Sequence, residues 1–140
     1  MSEQQPKKKF NVIVRRINPR QVIAEAHGQK IILSTNSEDR TLGFTAPETV
    51  FVAFGACILT NLAKGAAEMG LNVDDASIEF NAFKRLNPSG FEDVKFILNV
   101  KSLEPEEKLQ VLFKRATTDG TATNALLEGI KPQGKLNIQS

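Results

Sequence analysis

Cys57 is the residue with the clearest chemical potential, because it is the single cysteine of the chain and a thiolate is both a nucleophile and a redox centre. It lies within a segment that predicts a long helix. At 100° per residue, Thr60, Asn61 and Lys64 share its face, so a polar stripe follows the cysteine along an otherwise apolar helix. Such a stripe on an apolar helix needs a reason, and a functional site is one interpretation. The alternative interpretation is a free cysteine that packs as a small, inert hydrophobe.

Several other chemistries are excluded by residue counts and missing motifs. One cysteine cannot form an internal disulfide, and with a single histidine the chain lacks the Cys and His ligands of a zinc site. That histidine, His27, precedes Gly28 in a predicted tight turn, and no serine elbow accompanies it, so a Ser-His-Asp triad has no basis. Glycine-rich phosphate loops are absent from the sequence. We therefore expect neither a cofactor nor a metal.

The segment Pro47–Met69 carries the cysteine and has the features of one long helix. It begins with proline and is followed by Gly70, which is the usual asymmetry of helix ends. Its first half is apolar on every face, so we expect it to be buried on all sides and to meet a partner subunit. The uninterrupted apolar run is shorter than a membrane span needs, because Asn61, Lys64 and Glu68 follow it.

The remaining segments surround this helix with paired strands. A period of two and turn signals define the strands, and the stretch Thr35–Thr45 has no period and is interpreted as a loop. In chain order the predicted elements are strands over Phe10–Ile17, Gln21–Ala26 and Lys30–Ser34, the helix over Pro47–Met69, two long strands joined by the turn Asn87–Gly90, helices over Glu104–Thr117 and Thr121–Glu128, and a last strand over Lys135–Ile138. This order predicts an α+β domain with antiparallel sheets.

Charge is unevenly distributed along the 140 residues. The chain has 18 basic and 16 acidic residues, but residues 1–20 hold six of the basic ones and one acid. We interpret residues 1–9 as a basic, disordered N-terminal segment and residues 10–140 as a single domain. No aromatic side chains interleave with these charges, so nucleic-acid binding is not expected. With no secretory signal apparent, the expected location is the cytoplasm, without membrane association.

Two stretches carry a family resemblance. They are GFTAPETVFVAFGACILTNLAKGAAEMGLNV, which includes Cys57, and ATTDGTATNALLEGI near the C-terminus. Together with the order of elements, they resemble the osmotically inducible protein C / organic hydroperoxide resistance (OsmC/Ohr) family. The resemblance implies an intertwined homodimer with antiparallel sheets around long central helices. It also implies a thiol-dependent peroxidase with active sites between the subunits.

Site residues follow from the same resemblance. Cys57 matches the peroxidatic cysteine, which attacks the O–O bond and becomes a sulfenic acid. Glu48 matches an acid that holds an arginine beside the thiolate, and the candidate arginines are Arg20 and Arg40. On a straight helix Glu48 and Cys57 fall on opposite faces, so Glu48 must act from the helix entrance or on the other subunit's site.

One departure from the family pattern concerns the second, resolving cysteine, whose position falls on Gly120. An intramolecular disulfide is therefore impossible, and an oxidised Cys57 needs an external thiol or Cys57 of another chain. Three hypotheses stay open. The protein is a one-cysteine peroxidase or peroxide-responsive protein of oxidative-stress defence, a degenerate homologue that binds a small apolar ligand in the dimer pocket, or an adaptor that uses its basic segment.

Overall fold

The computed structural model describes residues 7–139, and these fall into two compact units divided after Val50. The first unit holds strands β1 (Ile13–Asn18), β2 (Gln21–Ala26) and β3 (Gln29–Ser34), a 3₁₀-helix (Arg40–Leu42) and the start of helix α1 (Ala46–Met69). The second holds the rest of α1, strands β4 (Asp75–Leu86) and β5 (Ser89–Lys101), and helices α2 (Glu106–Thr118) and α3 (Thr121–Glu128). The fold class is α+β, as predicted.

The first unit is built on an antiparallel sheet with the order β1-β2-β3. His27 and Gly28 connect β2 to β3 with φ values of 39° and 84°, the conformation of a tight hairpin turn. The predicted first strand starts later than expected, at Ile13. Ile13 pairs with Glu25, one residue from the end of β2, so Phe10 has no strand opposite it.

The loop after β3 is held by side-chain contacts within the first unit. Asp39 accepts a hydrogen bond from the Thr41 backbone N–H at 3.0 Å and thereby caps the 3₁₀-helix. The Ser34 hydroxyl donates to the Asn36 carbonyl at 3.0 Å. The stretch predicted as a loop thus contains one short helical turn.

In the second unit, α1 packs against the β4–β5 hairpin and α2. Ile58, Leu62 and Leu112 are buried in its core, and Phe54, Phe80 and Phe96 form an aromatic cluster beside them. Gly55 admits this packing, because a β-carbon there would lie 3.0 Å from a methyl carbon of Ile78. These contacts are those of a core helix, although length and hydropathy alone would also allow α1 to cross a membrane.

The hairpin confirms the alternation read from the sequence, with one exception. Ile78 and Phe80 of β4 are half-buried while the intervening Glu79 is exposed. On β5 the expected core residue Val94 is 44% exposed. It adjoins Asp93, whose φ is 53°, at a break in the register of the two strands, so a bulge turns its side chain out.

Three other expectations need correction. Helix α2 begins at Glu106, with Pro105 as its N-cap, rather than at Glu104. The expected strand Lys135–Ile138 is absent, since the described residues after α3 form no helix or strand and a strand needs a hydrogen-bonded neighbour. Within the single chain the apolar first half of α1 is not buried on all sides, because Val52 is 48% exposed, and its burial against a partner subunit stays a prediction.

The expected division into a disordered segment 1–9 and one domain 10–140 stays a prediction. Residues 1–6 and 140 lie outside the described part of the chain, and Lys7, Lys8 and Lys9 belong to no helix or strand.

Candidate active site

Cys57 lies in the middle of α1 as a free, half-buried thiol. Its neighbour Ile58 is fully buried in the core and fixes the rotation of the helix at this point. The sulfur therefore occupies the border between the core and the surface. A cysteine in that position is anchored by its helix and remains reachable from solvent.

The N-terminal end of α3 lies directly against the sulfur. A β-carbon at Gly120, the N-cap residue of α3, would lie 2.2 Å from Sγ of Cys57. The same point is 2.8 Å from Nδ2 of Asn61 and 3.2 Å from Oγ1 of Thr123. Glycine is thus the residue that allows the backbone to approach the sulfur this closely, and four residues from two helices converge here.

Asn61 lies one turn after Cys57 and is held in place by the helix backbone. Its Nδ2 donates to the Cys57 carbonyl oxygen at 2.9 Å and lies 3.6 Å from Sγ. The amide thus presents a donor to the sulfur from the side of α1. This confirms that the predicted polar stripe brings Asn61 to the cysteine, whereas Thr60 is exposed and donates to the Ala56 carbonyl of its own helix.

The surroundings of Cys57 favour its thiolate. Partial burial raises the pKa of the Cys57 thiol, but hydrogen bonds outweigh it and bring the pKa below its ordinary value. The polar groups that lower the pKa of Cys57 are the Thr123 hydroxyl, the backbone N–H groups of Thr123 and Ala122, and the Asn61 amide. Both backbone donors belong to the first turn of α3, where N–H groups have no partner inside the helix. A thiolate here also interacts favourably with the helix dipole.

A small polar cavity adjoins the site. It has a volume of about 120 Å³ and is lined by Asn61, Lys64, Gly65, Glu68, Arg115 and Asp119. Arg115 and Glu68 form an ion pair across it. Asn61 also lies beside the sulfur, and Asp119 precedes Gly120 in the chain, so the cavity is next to the site.

Glu48 lies at the start of α1, within the first unit, and forms a capping box with Thr45. Its Oε1 accepts hydrogen bonds from the Thr45 backbone N–H at 2.9 Å and from the Thr45 hydroxyl at 2.8 Å. These two bonds hold the pKa of the Glu48 carboxyl below its ordinary value against partial desolvation, and the Arg40 charge adds to the effect. The predicted role of Glu48 at the thiolate stays a prediction.

The two candidate arginines differ in their partners. Arg20 forms a salt bridge with Asp39, with 3.1 Å between Nη2 and Oδ2. Arg40 is exposed at the 3₁₀-helix, and its charge acts on Glu48. Of the two arginines, Arg40 is therefore the one whose charge acts on Glu48. A role of either arginine at Cys57 stays a prediction.

A sequence profile described as OsmC-like protein matches residues 36–133, which is more than half of the chain and includes Cys57 and α3. The chain belongs to the OsmC-like protein family. The resemblance drawn from the sequence is thereby confirmed. A search of curated proteins finds no significant match to this OsmC-like protein.

Solved structures with the same fold share little sequence with this OsmC-like protein. An OsmC-like protein from Mycoplasma pneumoniae has a TM-score of 0.80 at 16% identity and covers 89% of this chain and 91% of its own. The organic hydroperoxide resistance protein of Bacillus subtilis has a TM-score of 0.63 at 19% identity, covering 87% and 93%. That of Elizabethkingia anophelis has a TM-score of 0.63 at 13% identity, covering 91% and 94%. At these identities the matches show the shared fold.

Two features of the site were missed from the sequence. Thr123 was not singled out, because the residues Thr121 and Thr123 are chemically alike and only the packing of α3 makes Thr123 buried and Thr121 exposed. The donors from the α3 backbone carry no sequence signal of their own. The resemblance did mark Gly120, since the family's second cysteine falls there, and the structure places Gly120 beside the thiol as that alignment implies.

Proposed function

We propose that this OsmC-like protein reduces organic hydroperoxides at Cys57, acts as a homodimer, and uses an external thiol as its reductant. The observation that carries the proposal is a free, half-buried cysteine. Its sulfur faces backbone N–H groups in the first turn of α3 that have no acceptor within the helix. Two structural neighbours are organic hydroperoxide resistance proteins, which supports a peroxide-related role for the family. The expected compartment is the reducing cytoplasm.

The chemistry begins with the thiolate, because this form is the nucleophile. The Cys57 sulfur attacks one peroxide oxygen, the S–O bond forms, and the O–O bond breaks. The sulfur is oxidised by two electrons to a sulfenic acid, and the departing alkoxide takes up a proton to become the alcohol. Asn61 and the α3 N–H groups hold the sulfur in its reactive form beforehand.

The return of Cys57 to its thiol requires two equivalents of an external thiol, because the chain has no second cysteine. The first forms a mixed disulfide with Cys57 and releases water. The second attacks that mixed disulfide, frees the Cys57 thiol, and leaves with the first as a small disulfide. We expect a charged, low-molecular-weight thiol to approach through the polar cavity beside Asn61.

The test is intact-mass analysis of the reduced protein after brief exposure to one equivalent of cumene hydroperoxide, with a thiol trap present. We expect a rapid gain of one oxygen, or of the trapped adduct, that is absent from Cys57→Ser. A wild-type protein whose mass is unchanged over minutes would overturn the proposal.

A second candidate function is the binding of a small apolar ligand without catalysis. A cavity of about 430 Å³ between α1 and the start of β4 favours it, and its apolar lining includes Leu59, Ala63 and Leu71. Saturable binding of cis-parinaric acid that is equal in wild type and Cys57→Ser would support this function. If neither protein binds the probe, the second candidate is dismissed.

A further inference from the structure

Thr123 presents a buried hydroxyl that needs a partner. The residue is fully buried, and within residues 7–139 its Oγ1 has no hydrogen-bond partner. Buried hydroxyls in folded proteins are almost always hydrogen-bonded, since leaving one unpaired is costly. A valine of nearly the same shape would fill this position at no such cost. The presence of a hydroxyl rather than a methyl group therefore suggests that it donates a hydrogen bond to an acceptor at the site.

The reactive group that lies nearest to this hydroxyl's surroundings is the sulfur of Cys57. A β-carbon placed on Gly120 would lie 3.2 Å from Oγ1 of Thr123 and 2.2 Å from Sγ of Cys57. The helix beginning at Thr121 has no side-chain cap, so the backbone donors of its first turn face the same sulfur. Thr123 thus supplies two donors, its hydroxyl and its N–H, where a negative charge on sulfur would lie.

We propose that Thr123 is a positioning residue that keeps Cys57 ionised before oxidation and holds the oxygen of its sulfenate afterwards. The first part rests on the placement of Gly120 and the buried Thr123 hydroxyl beside Sγ, and the second rests on the proposed function. Oxidation adds one oxygen to Sγ, and that oxygen carries the charge once its proton dissociates. The hydroxyl and the N–H groups that faced the sulfur are then within reach of this oxygen. Because Gly120 brings no second thiol, the sulfenate persists until an external thiol arrives.

The first experiment measures the pH dependence of Cys57 alkylation by iodoacetamide in the full-length, reduced protein. We expect Thr123→Val to shift the profile to higher pH and to slow alkylation at pH 7 by roughly threefold to tenfold, the effect of one lost hydrogen bond to a charged group. Thr123→Ser keeps the hydroxyl and should restore the wild-type profile. Thr121→Val makes the same change at an exposed position of the same turn and should leave the profile unchanged.

A Thr123→Val profile that coincides with wild type overturns the proposal, provided that circular dichroism shows a folded protein. If the valine variant does not fold, Thr123→Ala takes its place in the same comparison, and coincidence with wild type again overturns it. A shift that Thr123→Ser fails to reverse also overturns it, because packing alone would then explain the effect.

The second experiment measures the lifetime of the sulfenate. After one equivalent of cumene hydroperoxide, dimedone is added at increasing delays and the labelled fraction is read by mass. We expect Thr123→Val to shorten the lifetime severalfold relative to wild type and Thr121→Val, and equal lifetimes would overturn the second part of the proposal.

The alkylation profile uses no peroxide. A wild-type protein inert to hydroperoxide but with a shifted Thr123→Val profile would thus refute the proposed function and leave the positioning role standing.

Discussion

The sulfur of Cys57 lies so close to the backbone of Gly120 that a β-carbon at residue 120 would lie 2.2 Å from Sγ. The two β-carbons are then no farther apart than the roughly 4.5 Å that a disulfide spans. We therefore expect Gly120→Cys to form an intramolecular disulfide with Cys57 upon oxidation by cumene hydroperoxide. The measurement is intact mass together with a count of alkylatable thiols, which should fall from two to none.

The matched control for this change is Gly120→Ala, which adds the same β-carbon without a thiol. It should displace the sulfur from the α3 donors and slow alkylation of Cys57 at pH 7, and it should form no disulfide. Two free thiols in oxidised Gly120→Cys would contradict the observed proximity of the two residues.

The core of the second unit rests on Leu112, which is fully buried. A β-carbon at Gly65 of α1 would lie 2.8 Å from its Cδ1, so Leu112 packs directly onto that helix. Leu112→Ala should lower the free energy of unfolding by about 2–5 kcal/mol, the usual range for a buried leucine. Its neighbour Val111 is 54% exposed, and Val111→Ala should cost about 0.5 kcal/mol or less. Urea unfolding of the two variants at one protein concentration checks the contrast, and equal costs would contradict the assigned core.

The capping box of Glu48 and Thr45 predicts a pH dependence of stability. Because the pKa of Glu48 is lowered on folding, its ionised form stabilises the folded state above the unfolded pKa of about 4.3. That contribution is lost as the pH falls through the folded pKa. Glu48→Gln should therefore lower the melting temperature at pH 7 and have little effect in acid. The same substitution at exposed Glu38 should have no such pH-dependent effect, and a Glu48→Gln deficit that persists unchanged in acid would refute this account.

Much of the fold could be predicted from the sequence, because local signals and tertiary packing agree. Pro47 and Gly70 predicted the ends of α1 to within one residue, since the helix begins at Ala46, and the alternation of Ile78 and Phe80 with polar residues assigned the core face of β4. Prediction failed where a neighbour decides the outcome. Val94 turns outward because a bulge forms beside it, and the C-terminal segment forms no strand because it pairs with no strand of the described chain.

The site divides in the same way. Cys57 and Asn61 are four residues apart on one helix, so the helical period alone brings them together. Thr123 reaches the same sulfur through tertiary packing, across more than 60 residues of sequence, and helical periodicity contains no such information. The resemblance supplied Gly120, but the donors that surround the sulfur became visible only in three dimensions.

The charges of the polar cavity predict which external thiols react fastest. The cavity is lined by two cations, Lys64 and Arg115, and two anions, Glu68 and Asp119. Because Arg115 is already paired with Glu68, a preference for an anionic thiol rests on Lys64. We expect 3-mercaptopropionate to reduce oxidised Cys57 up to about fivefold faster than 2-mercaptoethanol, after correction for the thiolate fraction of each, as one exposed charge contact allows. Lys64→Gln should remove the preference and Lys108→Gln, on exposed α2, should keep it. A rate ratio that is the same in wild type and Lys64→Gln would contradict this route.

The exposed apolar face of α1 predicts a homodimer. Val52 is 48% exposed, and the adjacent Ala53 and Ala56 are also exposed in the single chain. An apolar helix face of this kind is most simply covered by a second copy around a two-fold axis. Light scattering at micromolar concentration should give twice the 15.4 kDa of one chain.

Val52→Glu should shift the equilibrium toward the monomer, because it places a charge in the interface, whereas Gln110→Glu adds the same charge on α2 and should not. A wild-type mass of 15.4 kDa, or equal masses for the two variants, would contradict a dimer formed through this face.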